Sequence, residues 1–503
     1  MIRFEDYGWR FESNEEWTLQ DINLEIRPHE IVAITGASGC GKSTLALAVA
    51  ALLNTCHVGQ THGAVYLKGR EITQAHAQAA AGVVGLVQQN PDVNFATLEV
   101  EDELTFALEN RCLESLEIDR RIQEVIELLE LEPLRNRLIA TLSEGQKQRV
   151  AVAAALAAHP QVLILDEPTA HLDPGATDCI IHTLHELVQK RSMTVVIIEQ
   201  KLIPLRHLKP RIILISNHTI TADYPWADIP DTLKKELCPI PYSSGVPQTF
   251  TQKAPLEIKL VNSTVRRESH KILDNISLQI KQGEIVALMG PNGSGKSSLL
   301  LSLLGLIDLQ GDIACLGPKD IMSCSTFQLS EQTGLVFQNP DHQLFADTVM
   351  KEATFAGQNF GRDEEHIRTR AEEKLQLVGL GTYRNEHPYR LSYGQKRRLN
   401  VIAAILHDIE LLLLDEPFVG QDPQNIKWLI SMTRQLSTQQ VAVIMVIHDP
   451  YLVEACCNRV IFLESRRVLV DAPVSEAWET LRQSDYAAYT PVVTAEEKTW
   501  PLL

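Results

Sequence analysis

Apolar residues along this chain fall into two kinds of run that alternate. Short unbroken stretches such as Ile31-Val-Ala-Ile34, Val162-Leu-Ile-Leu165, Ile285-Val-Ala-Leu-Met289 and Leu411-Leu-Leu-Leu414 have the length and continuity of strands buried on both faces. Segments such as Ser43-Thr-Leu-Ala-Leu-Ala48 and Ser297-Ser-Leu-Leu-Leu-Ser-Leu-Leu304 read as helices. Amphipathic lead-ins, Leu19-Gln-Asp-Ile-Asn-Leu-Glu-Ile26 and Leu273-Asp-Asn-Ile-Ser-Leu-Gln-Ile280, precede two of the apolar runs. Strands alternating with helices predict an α/β fold with a largely parallel core sheet.

The pattern occurs twice. Lys42 and Lys296 are 254 positions apart, whereas Gln89 and Gln338, Ser143 and Ser392, Asp166 and Asp415, and Asp173 and Asp422 are each 249 apart. Landmarks held in one register over so long a period indicate duplicated whole domains rather than solenoid repeats. The first domain is placed at 1–228, closing on the strand-like Arg211–Ile215 and Thr219–Thr221. The second is placed at 256–485, closing on Arg459–Leu463 and Arg467–Val470. Residues 229–255 lie in a stretch rich in Pro, Ser, Thr and Gln and are read as a linker, and 486–503 as a tail.

Bulk properties narrow the classes. A chain of 503 residues with 45% hydrophobic content can bury two cores. A net charge of −18 argues against a protein that neutralises nucleic-acid backbones. Nine cysteines without a C-x-x-C pair suggest neither zinc nor a disulfide framework, so reduced thiols are expected. The N-terminus lacks a signal pattern, and no apolar run approaches the ~20 residues of a membrane span. A membrane role must therefore come through a partner.

The candidate chemistry begins with Gly36-Ala-Ser-Gly-Cys-Gly-Lys-Ser43 and Gly290-Pro-Asn-Gly-Ser-Gly-Lys-Ser297, each set between an apolar strand and a helix. This is the context in which G-x-x-x-x-G-K-[ST] wraps nucleotide phosphates. Gly36, Ser38, Gly39, Gly41 and Gly290, Asn292, Gly293, Gly295 supply inward-turned N–H groups. Lys42 and Lys296 reach the outer phosphates, Ser43 and Ser297 hold Mg²⁺, and Thr44 and Ser298 follow at the helix N-terminus. Gln89 and Gln338, after apolar strands, can coordinate Mg²⁺ or the attacking water, and the Asn-Pro that follows each breaks the strand.

Ser143, Gly145 and Gln146, like Ser392, Gly394 and Gln395, open basic helices and offer a second anion site per domain. That spare site should meet the nucleotide of the other domain. The plainer alternative for each is a helix cap. Asp166 and Asp415 suit the Mg²⁺ shell, and Glu167 and Glu416 suit polarising a water for in-line attack on the γ-phosphate. His448 ends its strand where it can contact the γ-phosphate, and Gln200 holds the matching place. Phe11 could stack on adenine or could be a core strand residue; the second half has only Val265, Arg266 and Arg267 nearby.

Together these motifs resemble the nucleotide-binding subunits of ABC transporters over nearly the whole chain. Within them, Asn339-Pro-Asp-His-Gln-Leu-Phe345 and Asp347-Thr-Val349 resemble energy-coupling-factor (cobalt and vitamin uptake) ATPases, which Asn90–Phe95 matches only partly. The resemblance implies two P-loop ATPase domains, each a mainly parallel sheet with an antiparallel and a helical subdomain. It implies ATP and Mg²⁺, a membrane coupling protein and a small membrane substrate-binding protein as partners, and a peripheral place on the cytoplasmic face of a bacterial cell membrane. It further implies an intramolecular pseudo-dimer with two sandwiched nucleotides. One site would join Lys42, Ser43, Gln89, Asp166 and Glu167 to Ser392, Gly394 and Gln395. The other would join Lys296, Ser297, Gln338, Asp415, Glu416 and His448 to Ser143, Gly145 and Gln146. Gln200 then implies slower hydrolysis at the first site, unless Glu199 compensates. The rivals are a soluble tandem ATPase acting on ribosomes or nucleic acid, which usually carries a long charged linker, and a sugar-import ATPase, whose second loop is often eroded.

Overall fold

The computed structural model describes residues 1–12, 16–37, 39–72, 80, 82–169, 172–191, 193–199, 202–230, 233, 257–268, 270–421 and 423–491. Ser38, Gln200, Asp422, most of the expected linker and the end of the tail lie outside them. The chain divides into two compact units, Met1–Cys238 and Pro239–Leu503.

In the first unit Ile31–Thr35 lies centrally in a six-stranded sheet. Thr194–Ile198, Val162–Asp166 and Val84–Val87 follow on one side, all parallel. Arg211–Ser216 lies parallel on its other side and pairs antiparallel with Thr219–Tyr224. The three inner strands are almost wholly buried, which is why they read as continuous apolar runs. A second sheet is antiparallel and carries Leu19–Ile26, Ile2–Phe11 and Gly59–Leu67, whose period-two burial matches the lead-in pattern. Helices Val100–Glu109, Ser115–Leu128 and Glu144–Ala157 pack together as a helical part.

The second unit repeats this plan, with Thr333–Val336, Leu411–Asp415, Ala442–Val446, Ile285–Met289, Arg459–Glu464 and Arg467–Pro473 in one sheet. Its antiparallel sheet is built on Glu257–Arg267 and His270–Lys281, and its helical part on Val349–Asn359, Glu364–Leu377 and Tyr393–Ile405. The α/β class with two parallel-core domains is thus observed. The expected tail starts as packed structure: Tyr486 and Tyr489 lie 5.0 and 5.1 Å from the buried Phe462 ring. Its apolar residues are too few for a periodic signal, and burial comes from one aromatic cluster.

Candidate functional site

In each unit the sheet delivers its functional residues to the carboxyl ends of parallel strands, where side chains can emerge without breaking the ladder. Ile31–Thr35 runs into the glycine-rich turn and then helix Lys42–Val49; Ile285–Met289 does the same into Lys296–Leu303. The turn must hug a neighbouring strand. A Cβ on Gly36 would sit 2.1 Å from the Ile215 carbonyl oxygen, and one on Gly290 2.1 Å from that of Leu463. At Gly39 and Gly293 the space is open, but φ of +81° and +83° disfavours any side chain. The result is a backbone cradle with open space at Gly39 and Gly293.

Lys42 Nζ donates to the carbonyls of Gly36 (2.8 Å) and Ala37 (2.9 Å), and Lys296 Nζ to Gly290 (2.9 Å) and Pro291 (2.8 Å). Both ammonium groups are thus folded over the loop they follow. Asp166 hydrogen-bonds Ser43 and Asp415 hydrogen-bonds Ser297. The Oδ1 atom of each aspartate is buried with no partner among the described residues. Burial is the main reason each carboxyl is pushed up to about 6.

The carboxylate after each aspartate turns sharply. Glu167 and Glu416 have φ of +48° and +47°, left-handed backbone that non-glycine residues rarely hold. Such strain is kept where it aims a functional group. Gln89 Nε2 donates to Glu167 Oε2 at 2.7 Å, and Gln338 Nε2 to Glu416 Oε2 at 2.9 Å. His448 Nε2 lies 3.1 Å from Glu416 Oε1. Each unit therefore joins its phosphate loop, glutamine and two carboxylates, and the second adds the histidine.

The signature residues stand apart from this cluster. Ser143 Oγ accepts from Gln146 N–H (3.3 Å), and the Gln146 side chain accepts from Ser143 N–H (3.0 Å). Ser392 and Gln395 form the same reciprocal cap at 3.3 and 2.8 Å. A Cβ on Gly394 would meet Asn425 Nδ2 at 2.6 Å. Within each unit no hydrogen bond joins these residues to the phosphate loop, among the described residues. Here they act as helix caps.

Phe11 ends its strand half-buried, with Trp9 at 5.9 Å and His57 at 5.6 Å, both edge-on. Asp173 Oδ1 accepts from Ala176 N–H and caps helix Pro174–Arg191. Glu199 is 3% exposed and accepts a bond from Thr169 Oγ1 at 2.6 Å. Ile198 and Val446 occupy the same sheet register opposite Asp166 and Asp415, so Gln200 corresponds to His448 and Glu199 to the buried Ile447. Glu199 is therefore offset by one from the position that matches His448.

Several residues escaped the sequence reading. Asp92 pairs with Lys147, and Asp341 with Lys396, each at 2.7 Å, tying the post-glutamine loop to the signature helix. Glu103 accepts from the N–H groups of Ala96 and Thr97, and Glu352 from those of Phe345 and Ala346. The lysines and aspartates keep the 249-residue offset, a signal that could have found them.

Magnesium fits this arrangement. Among the described residues no cluster of three His, Cys, Asp or Glu could hold a metal alone. A serine hydroxyl, an orphaned carboxylate oxygen and a glutamine amide beside a phosphate cradle match an ion that keeps water and substrate oxygens in its shell. When bound, it would neutralise charge on the phosphates.

Strand, glycine turn, helix and the carboxylate pair at the end of the next strand but one make each half a P-loop nucleotide-binding domain. The chain belongs to the ABC transporter family, whose model matches residues 19–170 and 273–419; that family's domains bind ATP with Mg²⁺ and hydrolyse it. A putative ABC transporter ATP-binding protein of Methanosarcina mazei is 32% identical over 98% of this chain and 92% of its own length. A putative HMP/thiamine import ATP-binding protein of Bacillus subtilis is 32% identical over 100% of this chain and 95% of its own. The solved structure of an RNase-L inhibitor shares the fold at 20% identity, with a TM-score of 0.65 over 95% of this chain and 93% of that one.

The raised aspartates give a stability expectation. A carboxyl titrating near 6 when folded, against an ordinary 3.8, favours the fold fully below the lower value. It loses that contribution as pH rises through the higher one. Asp166→Asn should therefore stabilise the nucleotide-free chain by at most ~3 kcal/mol at pH 8, the gain fading between about pH 6 and pH 4. Urea unfolding without Mg²⁺ at several pH values measures this, and a pH-independent difference would refute it.

Proposed function

We propose that this chain is the ATP-hydrolysing subunit of an energy-coupling-factor-type importer, moving a vitamin, a vitamin precursor or a transition-metal ion. The observation that carries the import reading is full-length similarity to the thiamine-import relative. Likeness to the RNase-L inhibitor stops at the fold. The proposed domains are 1–228 and 256–485, joined by 229–255.

In this reading Lys42 and Lys296 leave their loop carbonyls for the outer phosphates. Ser43 with Asp166, and Ser297 with Asp415, hold the ion. Gln89 and Gln338 orient Glu167 and Glu416, whose carboxylates draw a proton from the attacking water. His448 holds Glu416 from the other side and reaches the γ-phosphate. The two halves close head to tail, Ser392, Gly394 and Gln395 completing the site of Lys42, and Ser143, Gly145 and Gln146 that of Lys296. Phe11 stacks on the adenine of the first.

No helix among the described residues is long and apolar enough to cross a membrane, which agrees with peripheral attachment to membrane partners. Phe345 and Phe355, 61% and 44% exposed with ring centroids 4.6 Å apart, supply an apolar contact beside the glutamine loop. Detergent co-purification of membrane subunits tests the reading; co-sedimentation with ribosomes instead would favour the rival. Phe345→Asp should reduce recovery of the membrane partners at least ~10-fold, as loss of a buried aromatic anchor does, while leaving the detached chain's ATPase rate within two-fold. Unchanged recovery would remove Phe345 from the contact.

A further inference from the structure

The second unit contains a buried cation that the chemistry above does not use. Arg397 lies five residues after Ser392, on the signature helix, and is 0% exposed. It forms no ion pair among the described residues. Its guanidinium instead donates to the backbone carbonyls of Phe337 and Gln338, and Nη2 also meets Tyr393 Oη at 3.3 Å. Tyr393 Oη in turn donates to the Gln338 carbonyl at 3.3 Å. Asn400, one turn further along, donates to the Pro340 carbonyl at 2.9 Å. Three side chains of one helix thus grip three backbone carbonyls around Gln338, those of Phe337, Gln338 and Pro340.

Among the described residues the first unit shows no such grip. The equivalent positions are Glu144, Gln148 and Ala151. Gln148 is buried, and its Nε2 meets no acceptor among the described residues. Both units retain the outer ion pair to the same loop, so the difference lies specifically in what holds the glutamine's own peptide.

Desolvating a guanidinium without a carboxylate partner is costly, and a helix position offers no structural need for it. Burial accordingly holds its pKa below the ordinary arginine value. A short chain of contacts nevertheless gives it a purpose. Arg397 fixes the Gln338 carbonyl, and Gln338 Nε2 bonds Glu416 Oε2. We infer that Arg397 is a positioning residue for hydrolysis in the second unit. By clamping the peptide of Gln338 to the signature helix it holds the amide that aims Glu416, a coupling that the described residues of the first unit do not repeat.

The inference rests on Glu416 as the hydrolytic carboxylate, and the test separates the two. ATP turnover and fluorescent-ATP binding are measured on the full chain carrying Glu167→Gln, with Arg397→Gln and Gln338→Ala added singly and together. Arg397→Gln is expected to lower kcat ~10-fold per ATP-binding molecule with half-saturation within about two-fold, a pattern that a merely structural role does not give. In the Gln338→Ala background it should change kcat by less than ~two-fold, because residues acting in series are not additive. An undiminished kcat, or the same factor in both backgrounds, overturns the inference. A parent chain with no turnover overturns the reading of Glu416 itself, and the inference with it. Should Arg397→Gln not fold, Arg397→Lys replaces it; one remaining donor should give an intermediate kcat, and a wild-type kcat again overturns the clamp.

Discussion

Glu416→Gln should remove nearly all ATP turnover, and Glu167→Gln should leave about half or more. Glu416 is held from two sides, by Gln338 at 2.9 Å and His448 at 3.1 Å. Its backbone is pinned in a left-handed turn that few residues tolerate. Glu167 has the same turn and the matching glutamine contact at 2.7 Å. The residue that matches His448 there is Gln200, two positions after Ile198 as His448 is two after Val446. A group that stabilises the transition state through one hydrogen bond typically contributes ~10²–10³ in rate. The second site should therefore carry most of the steady-state flux. Steady-state phosphate release from the two single variants measures the asymmetry. Equal losses, or a greater loss in Glu167→Gln, would show that the histidine does not set the rate.

Gly290→Ala should abolish nucleotide binding at the second loop and reduce the number of ATP molecules bound per chain from two to one. The added Cβ would lie 2.1 Å from the Leu463 carbonyl oxygen, a backbone atom of the adjoining strand that cannot rotate away. The backbone is also at φ +137°, where side chains are rare. The loop must therefore shift, which takes its N–H groups out of line with the phosphates they would hold. Gly293→Ala is the control. Nothing lies within 4 Å of its built Cβ, so only its φ of +83° is strained, at ~1–2 kcal/mol. Equilibrium dialysis with labelled ATP and Mg²⁺ counts the sites. Two sites of unchanged affinity in Gly290→Ala would mean that the loop is not a phosphate cradle.

The fold was legible because both signals are local. Unbroken apolar runs mark strands covered on both faces, and the fixed offset between Gln89 and Gln338 or Asp166 and Asp415 exposes the duplication. At the start of the expected tail Tyr486 and Tyr489 pack on Phe462, and Tyr489 is buried there, a contact which no periodicity announces. Glu199 stands one residue before the position that matches His448. Its carboxylate meets Thr169.

What the sequence determined by itself is what covalent spacing controls: the phosphate loops, the carboxylate pairs ending strands and the capped signature helices. Each depends on residues within one turn or one strand. Only the tertiary structure decided which carboxylate oxygen meets which amide, the orphaned oxygens of Asp166 and Asp415, and the clamp from Arg397 to a carbonyl 60 residues away. Those features depend on the register between segments distant in the chain, and register is fixed by burial of whole strands and helices rather than by any short run of residues.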